Sequence, residues 1–302
     1  MNKSSSLLFA LLTSTTLVLG QNQSTNVIRM GLVADIQYTD QATAGSRHYR
    51  ESLQKLEEMV NVMNSYELSF IVDLGDRIDR DFASFKPVDA ILNRLNAPVI
   101  FVPGNHDFLV KNRLKKVVRR KTKSNRGYQS LKQGEWRFIY LNGLDNSLVA
   151  NPWYLPKHWI ARKELKKQQA EKQVNAYDWN GGFSIRQEKW LINQLASATE
   201  DQQDIMLFCH QPLSPGNAHS LWNYQNILNL LNDYPYQVFW INGHDHKGGY
   251  EKSGKVHLLT LHGMVEGENP SFAVLTIDDE EITLKGFGDQ VSIQLMRNEK
   301  IN

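Results

Sequence analysis

Cysteine is nearly absent from this chain: there is one, Cys209, among 302 residues. A single thiol cannot form an internal disulfide, and it excludes cysteine-based zinc modules. Strong net charge is absent too. Lys and Arg number 34 against 32 Asp and Glu, a formal charge of +2. That balance gives no whole-molecule field for gripping nucleic acid, and it is not the composition of a disordered polymer. Only one long apolar run exists, at the amino terminus, and the mean hydropathy of −0.45 excludes a polytopic membrane protein. Internal repeats and low-complexity linkers are missing as well. What is present is a globular composition, 41% hydrophobic and 10% aromatic, with nine histidines. Nine imidazoles against one thiol direct any metal chemistry toward nitrogen and oxygen ligands.

The amino terminus reads as a separate object. Met1-Asn2-Lys3 is positively charged, residues 7–19 are mostly apolar, and Val18 and Gly20 suit the −3 and −1 positions of a cleavage site before Gln21. This is the pattern of a secretory signal peptide over residues 1–20, too short to cross a ~30 Å bilayer comfortably. It predicts a secreted or periplasmic protein with no stable membrane association after cleavage. Residues 21–302 are expected to form a single domain.

Within that domain strands and helices alternate. Short apolar runs at 27–32, 68–74, 98–102, 136–141, 205–208 and 238–241 read as strands. Three more close the chain, at 256–261, 272–277 and 282–284. Helical spacing marks 49–66, with Leu53, Leu56, Val60 and Met63, and also 88–95, 187–198 and 221–231. Early βαβαβ order predicts an α/β protein with a mainly parallel sheet and an antiparallel closing portion. One stretch breaks the pattern. Residues 108–134 hold ten Lys or Arg and no Asp or Glu, and 150–180 are irregular and aromatic, with Trp153, Tyr154, Trp159, Tyr177 and Trp179. This predicts an insertion over about 108–180, carrying either substrate-facing loops or a solvated basic face.

Five strand ends carry the chemistry. They read Asp35-Ile36-Gln37, Gly75-Asp76-Arg77-Ile78-Asp79, Gly104-Asn105-His106-Asp107, His210-Gln211-Pro212 and Gly243-His244-Asp245-His246. Each alone is compatible with a turn or a cap. Together they place carboxylates, amides and imidazoles where α/β folds bind ligands, beyond the carboxyl ends of strands. Buried donors of this kind are costly unless cations neutralise them. Seven donors exceed one ion's needs, so two metals sharing Asp76 is the economical reading. Cys209 precedes His210 with no base beside it in sequence, and reads as a small buried filler rather than a nucleophile.

The order of these motifs resembles the calcineurin-like metallophosphoesterase superfamily. One departure stands out: Gln37 occupies the place where most members carry His. Asp-Ile-Gln-Tyr is the pattern of the manganese-dependent ADP-ribose/CDP-alcohol diphosphatases. Other segments resemble that branch too, among them the stretch led by Arg47, Trp179-Asn180-Gly181-Gly182 and Leu261-His262-Gly263-Met264-Val265-Glu266.

The resemblance implies a four-layer α/β/β/α sandwich of two mixed sheets flanked by helices. It implies two divalent ions, Mn2+ foremost, with Mg2+, Fe or Zn2+ as alternatives. One ion takes Asp35, Gln37, Asp76 and His246; the other takes Asp76, Asn105, His210 and His244. A hydroxide bridging them attacks phosphorus in line. His106 binds a phosphate oxygen and protonates the leaving group, while Asp79 and Asp107 stand behind the ligands. His262 and Glu266 touch the substrate or support a ligand. An amide oxygen at Gln37 in place of an imidazole nitrogen suits Mn2+ or Mg2+ better than Zn2+ or Cu2+. The implied substrate is a small phosphoanhydride, with aromatic residues of 108–180 stacking a base and basic ones holding the distal phosphate; no nucleic acid is expected. A phosphomonoesterase or phosphodiesterase on the same core is the alternative, and a non-catalytic scaffold a third reading.

Overall fold

The computed structural model describes residues 27–123 and 126–297. The expected signal peptide at 1–20 lies outside them. In chain order the elements are β1 (Ile28–Val33), α1 (Ser52–Met63), β2 (Phe70–Asp73), α2 (Phe85–Leu92), β3 (Val99–Phe101), α3 (Asn112–Lys121), β4 (Gln129–Gln133), β5 (Trp136–Tyr140), β6 (Asn146–Ser147), α4 (Pro156–Ala170) and β7 (Gly181–Gly182). There follow α5 (Ile185–Glu200), β8 (Asp204–Phe208), α6 (Tyr224–Asn232), β9 (Val238–Asn242), β10 (Lys247–Ser253), β11 (Val256–His262), β12 (Phe272–Ile277), β13 (Glu281–Phe287) and β14 (Ile293–Met296). No helix among the described residues is long and apolar enough to cross a membrane.

Two six-stranded sheets form, in the orders β14-β13-β12-β1-β2-β3 and β10-β11-β9-β8-β5-β4. Both are mixed. In the first, β1, β2 and β3 run parallel while β12, β13 and β14 add antiparallel. In the second, β5, β8, β9 and β11 run parallel, with β4 and β10 antiparallel at the edges. The single mainly parallel sheet suggested by element order is therefore two mixed ones. Apolar runs reveal strands, but not which strands share a sheet.

The strands alternate their faces, and that builds the layers. Met30 and Leu32 of β1, Val72 of β2, Phe138 and Tyr140 of β5 and Phe208 of β8 fill the slab between the sheets. On the far side of the first sheet, Val33 and Ile71 meet Leu56, Met59, Val60 and Met63 of α1 and Val88 and Ile91 of α2. On the far side of the second, Ile139, Leu207 and Trp240 meet Leu191 and Leu195 of α5 and Leu228 and Leu231 of α6. Helix, sheet, sheet, helix is the four-layer sandwich.

The 108–180 stretch is more regular than its composition suggests. It contains α3, β4, β5, β6 and α4, and β5 lies inside the second sheet beside β8. Helix α4 escaped the periodicity reading because its buried residues, Ala161, Leu165 and Gln168, make a thin and partly polar stripe. Helix α3 turns two of its cations inward: Lys115 Nζ donates to the Val149 carbonyl, and Arg119 Nη2 donates to the Ala150 carbonyl at 2.8 Å. These basic groups hold the loop after β6.

Candidate metal centre

The parallel strands β1, β2, β3, β8 and β9 end on one side of the sandwich, and each is followed by a turn that delivers donors. The turns are strained. Asp35, Gln37, Asp76 and His244 all adopt positive φ, at 54°, 41°, 56° and 69°. The other non-glycine residues in this region are Lys123, Lys172 and Gln202, which follow the ends of α3, α4 and α5, where left-handed residues routinely stop helices. The four donor residues have no such excuse; side chains held this way cluster at functional sites. Packing enforces the geometry. A Cβ on Gly104 would stand 2.1 Å from Asp76 Oδ1, and one on Gly243 would stand 2.6 Å from Asp35 Oδ2.

Asp76 sits at the centre, fully buried. Its Oδ1 accepts from the His106 backbone N–H at 2.7 Å. Its Oδ2 lies 3.2 Å from His210 Nε2 and 3.3 Å from Gln37 Nε2. Asp76, His210 and His244 bring ligand atoms within 4.8 Å of one another. Asn105 Oδ1 is 3.1 Å from His210 Nε2. On the other side, His246 Nε2 is 3.1 Å from Gln37 Nε2 and 3.4 Å from Asp35 Oδ1. All seven expected donors thus gather at one place.

The backs of the imidazoles are tied down, which selects the nitrogen that faces inward. His210 Nδ1 meets the Leu74 carbonyl at 2.7 Å. His246 Nδ1 meets Glu266 Oε1 at 2.6 Å, and His244 Nε2 meets Asn180 Oδ1 at 2.9 Å. His210 and His246 are thereby left with Nε2 toward the centre, and His244 with Nδ1. His106 Nδ1 lies 2.8 Å from Asp79 Oδ1, and the other oxygen of that carboxylate, Oδ2, pairs with Arg80 Nε at 2.5 Å. Asp107 accepts from the backbone N–H groups of Asp76, Arg77 and Gly104 at 2.9, 3.0 and 2.9 Å. It ties the second and third turns together and does not point at the cavity. Asp73 accepts from Arg77 Nε at 2.6 Å and from the Gly75 N–H at 3.0 Å, fixing the same turn from behind.

Charge is crowded here. Against the cost of burial, His210 and His106 hold the Asp76 carboxyl well below its usual range. Burial likewise opposes charge on His210 and His246, yet Asp76 lifts the first to about 9 and Asp35 lifts the second to about 10. Burial and the His210 cation push His244 well below the ordinary imidazole value. Burial, with Asp76 beside it, pushes the Asp107 carboxyl up. Asp76 and Asp35 thus favour a proton on each of the imidazoles facing them. Two buried oxygens, Asp35 Oδ1 and Gln37 Oε1, still lack a hydrogen-bond partner. The 3.4 Å approach of His246 to Asp35 Oδ1 is an ion pair without hydrogen-bond geometry. Orphaned buried acceptors require an explanation. A divalent cation fits: the donors are carboxylate, amide and imidazole, and a half-turn of the Gln37 amide would exchange its nitrogen for the oxygen between Asp76 and His246.

The cavity over this cluster measures about 340 Å³ and is lined by Gln37, Arg47, Asp76, Asn105, His106, Leu109, Trp179, His219, His244 and His246. Of the five aromatic residues noted in 150–180, only Trp179 reaches it, and among the described residues no Lys or Arg of 111–132 does. Arg47, Asn180 and His219 are functional candidates to which sequence reasoning gave no role, while Trp179 is one of the aromatic residues expected to stack a base. Trp179-Asn180 and Arg47 lay in recognisable segments, but a lone His219 in a loop carries no signal. Cys209 is fully buried, and burial raises its thiol to about 12, so it fills space.

A calcineurin-like phosphoesterase profile matches residues 28–248, from β1 through the last of the clustered histidines. The chain belongs to this family. It is accordingly a hydrolase, a metallophosphoesterase. Manganese-dependent ADP-ribose/CDP-alcohol diphosphatases are among its relatives. The protein of that name from Arabidopsis thaliana is 28% identical over 288 residues, covering 85% of this chain and 93% of the relative. The one from Xenopus tropicalis is 28% identical over 312 residues, covering 85% and 91%. Among solved structures, a dimetal phosphatase from Danio rerio superposes with a TM-score of 0.81 at 24% identity, over 90% of this chain and 99% of that one. The chain's two layered sheets thus share the fold of that phosphatase.

Proposed function

We propose that this chain hydrolyses the phosphoanhydride bond of nucleoside diphosphate-linked alcohols or sugars, of the ADP-ribose or CDP-alcohol type, using two Mn2+ ions. The observation that carries the reading is the position of Asp76: one carboxylate oxygen faces His210 on one side and Gln37 on the other. Asp35, Gln37, Asp76 and His246 would hold one ion, and Asp76, Asn105, His210 and His244 the second. Such a pair neutralises the carboxylates, polarises phosphoryl oxygens and supplies a nucleophile from water near neutral pH. The oxygen-rich first set, with an amide where an imidazole is usual, favours Mn2+. The relatives' names support the same metal and substrate class.

The chain's own groups do the rest. His106 lines the cavity with Nδ1 held by Asp79, which leaves Nε2 to carry a proton to the departing oxygen. Burial opposes its charge, but Asp76 and Asp79 raise its pKa, so it keeps the proton to higher pH than a free imidazole does. Arg47 stands at the same cavity and pairs with Glu266 at 3.5 Å, a fixed cation for a phosphate oxygen. The test is turnover of ADP-ribose, CDP-choline, cyclic AMP and an aryl phosphate, each with Mn2+, Mg2+ and Zn2+ separately. Cleavage of the two anhydrides, fastest with Mn2+, is expected. Turnover of the aryl phosphate alone would replace this reading with a phosphomonoesterase, and cyclic AMP alone with a phosphodiesterase.

A further inference from the structure

The cavity has two chemically different sides. Arg47 and His106 offer hydrogen-bond donors for oxyanions, whereas Trp179, His219 and Leu109 offer flat or apolar surface. Trp179 does not stand alone. Tyr177 stacks on it with ring centroids 4.9 Å apart and planes 16° from parallel. His219 packs against it at 5.0 Å, and His244 at 5.2 Å. The wall runs from the metal-binding histidine outward to Tyr177, which is 47% exposed.

The wall is rigidly held from behind. Asn175 Nδ2 donates to the Leu221 carbonyl at 2.6 Å. Asn180 Nδ2 donates to the Ala218 carbonyl at 2.7 Å and to the Asn175 carbonyl at 3.0 Å. Asn217 Oδ1 accepts from the His219 N–H at 2.8 Å, and its Nδ2 donates to Asp245 Oδ2 at 2.8 Å. Two loops, 175–180 and 217–221, are thereby locked face to face, with Trp179 and His219 side by side at the cavity. Neither ring has an obvious place in the hydrophobic slab. Their placement costs apolar exposure, and a planar ligand would recover it.

We infer that Trp179, backed by Tyr177 and flanked by His219, is the platform on which the nucleobase of the substrate lies. The inference rests on the nucleotide substrate class proposed above and adds where and how the base is read. Stacking is indifferent to the hydrogen-bond edge, because every base has a π-face. One platform therefore accepts adenine and cytosine alike, which a pocket of fixed donors and acceptors would not. A phosphoanhydride lacking a base gains nothing from it.

The experiment compares the Mn2+-loaded wild type with Trp179→Ala and Trp179→Phe. Kinetics are measured on ADP-ribose, CDP-choline and methyl diphosphate, the last a base-free anhydride, and binding of AMP is followed by calorimetry. Trp179→Ala is expected to raise KM for both nucleotides on the order of tenfold, the range of a single base stack. It should lower kcat/KM for them about tenfold more than for methyl diphosphate and weaken AMP binding in parallel. Trp179→Phe should recover most of each loss. Equal losses on all three anhydrides would reduce the ring to a prop for His244 and overturn the inference, as would AMP binding that ignores Trp179. The two readings fail separately. If the wild type binds AMP through Trp179 but cleaves neither nucleotide, the anhydride activity falls and the platform stands. If both nucleotides are cleaved with KM unmoved in Trp179→Ala, the reverse holds.

Discussion

Asp76 uses its two oxygens for different purposes. Oδ1 is spent on the His106 N–H, which fixes the third turn against the second; Oδ2 is left for the centre. Asp76→Asn would keep a carbonyl for the first task and remove the charge from the second. It is expected to weaken both metals at once, by more than the ~10–100-fold typical of groups that only support a ligand. Metal content after dialysis checks this, and loss of a single ion would refute the shared position. His106 makes a different prediction. His106→Ala should lower kcat by about 10²–10⁴-fold while both ions stay bound. Asp79 helps to raise the pKa of His106. Asp79→Asn should therefore lower that pKa, and the protonated acid should be lost earlier on raising pH. The alkaline limb of the rate profile should move to lower pH; a limb that moves upward or stays would sever the dyad.

At the scale of elements, the site consists of turns pressed against each other. Gly104 shows how little room they leave: any side chain would collide with Asp76 backbone and carboxylate together. Gly104→Ala should cost about 1–3 kcal/mol, the usual penalty of overpacking, and should cut activity far more than stability implies. Chemical denaturation and kcat/KM measured side by side check it. The loop after β11 is held otherwise. Lys55 of α1 points its Nζ at the carbonyls of Met264, Glu266 at 3.3 Å and Gly267 at 3.1 Å, and that loop carries the Glu266 that orients His246. A helix on the outer layer thus sets the angle of His246 through one buried cation. Nothing in the sequence marks Lys55 for this, because a lysine on an amphipathic helix reads as solvent-facing. The donor turns were legible for the opposite reason: each follows a continuous apolar strand, so its polar run stands out. Helix α3 and strands β4, β10 and β14 were not legible. Those of α3, β4 and β10 are mainly polar, as in Lys247-Gly248-Gly249-Tyr250-Glu251-Lys252-Ser253, and the four residues of β14 are too few to make a pattern.

Over the whole molecule, the first half of the chain supplies Asp35, Gln37, Asp76 and Asn105 from one sheet, and the second half supplies His210, His244 and His246 from the other. Cross-sheet bonds follow the same seam: the His244 N–H donates to Asp35 Oδ2 at 3.0 Å, and His210 Nδ1 meets the Leu74 carbonyl. Facing carboxylates favour protons on two imidazoles of this seam. His210 and His246 titrate near 9 and 10 in the folded chain against 6.5 for free imidazole. A raised pKa stabilises fully below the unfolded value, so this contribution is whole under about pH 6.5 and fades as pH climbs through 9 and 10. Cations displace those protons and bind better as pH rises. The melting temperature gained on adding Mn2+ should therefore grow from about pH 6 to about pH 9. A gain that shrinks over that range would mean the imidazoles are not the groups displaced.

The slab of Met30, Leu32, Phe138 and Phe208 between the sheets carries no chemistry, yet it sets the distance across which the two donor sets must meet. It works as the spacer in a clamp. Thinning it, for instance by Phe138→Leu, would bring the jaws together out of true, and catalysis would record the change before the melting curve did.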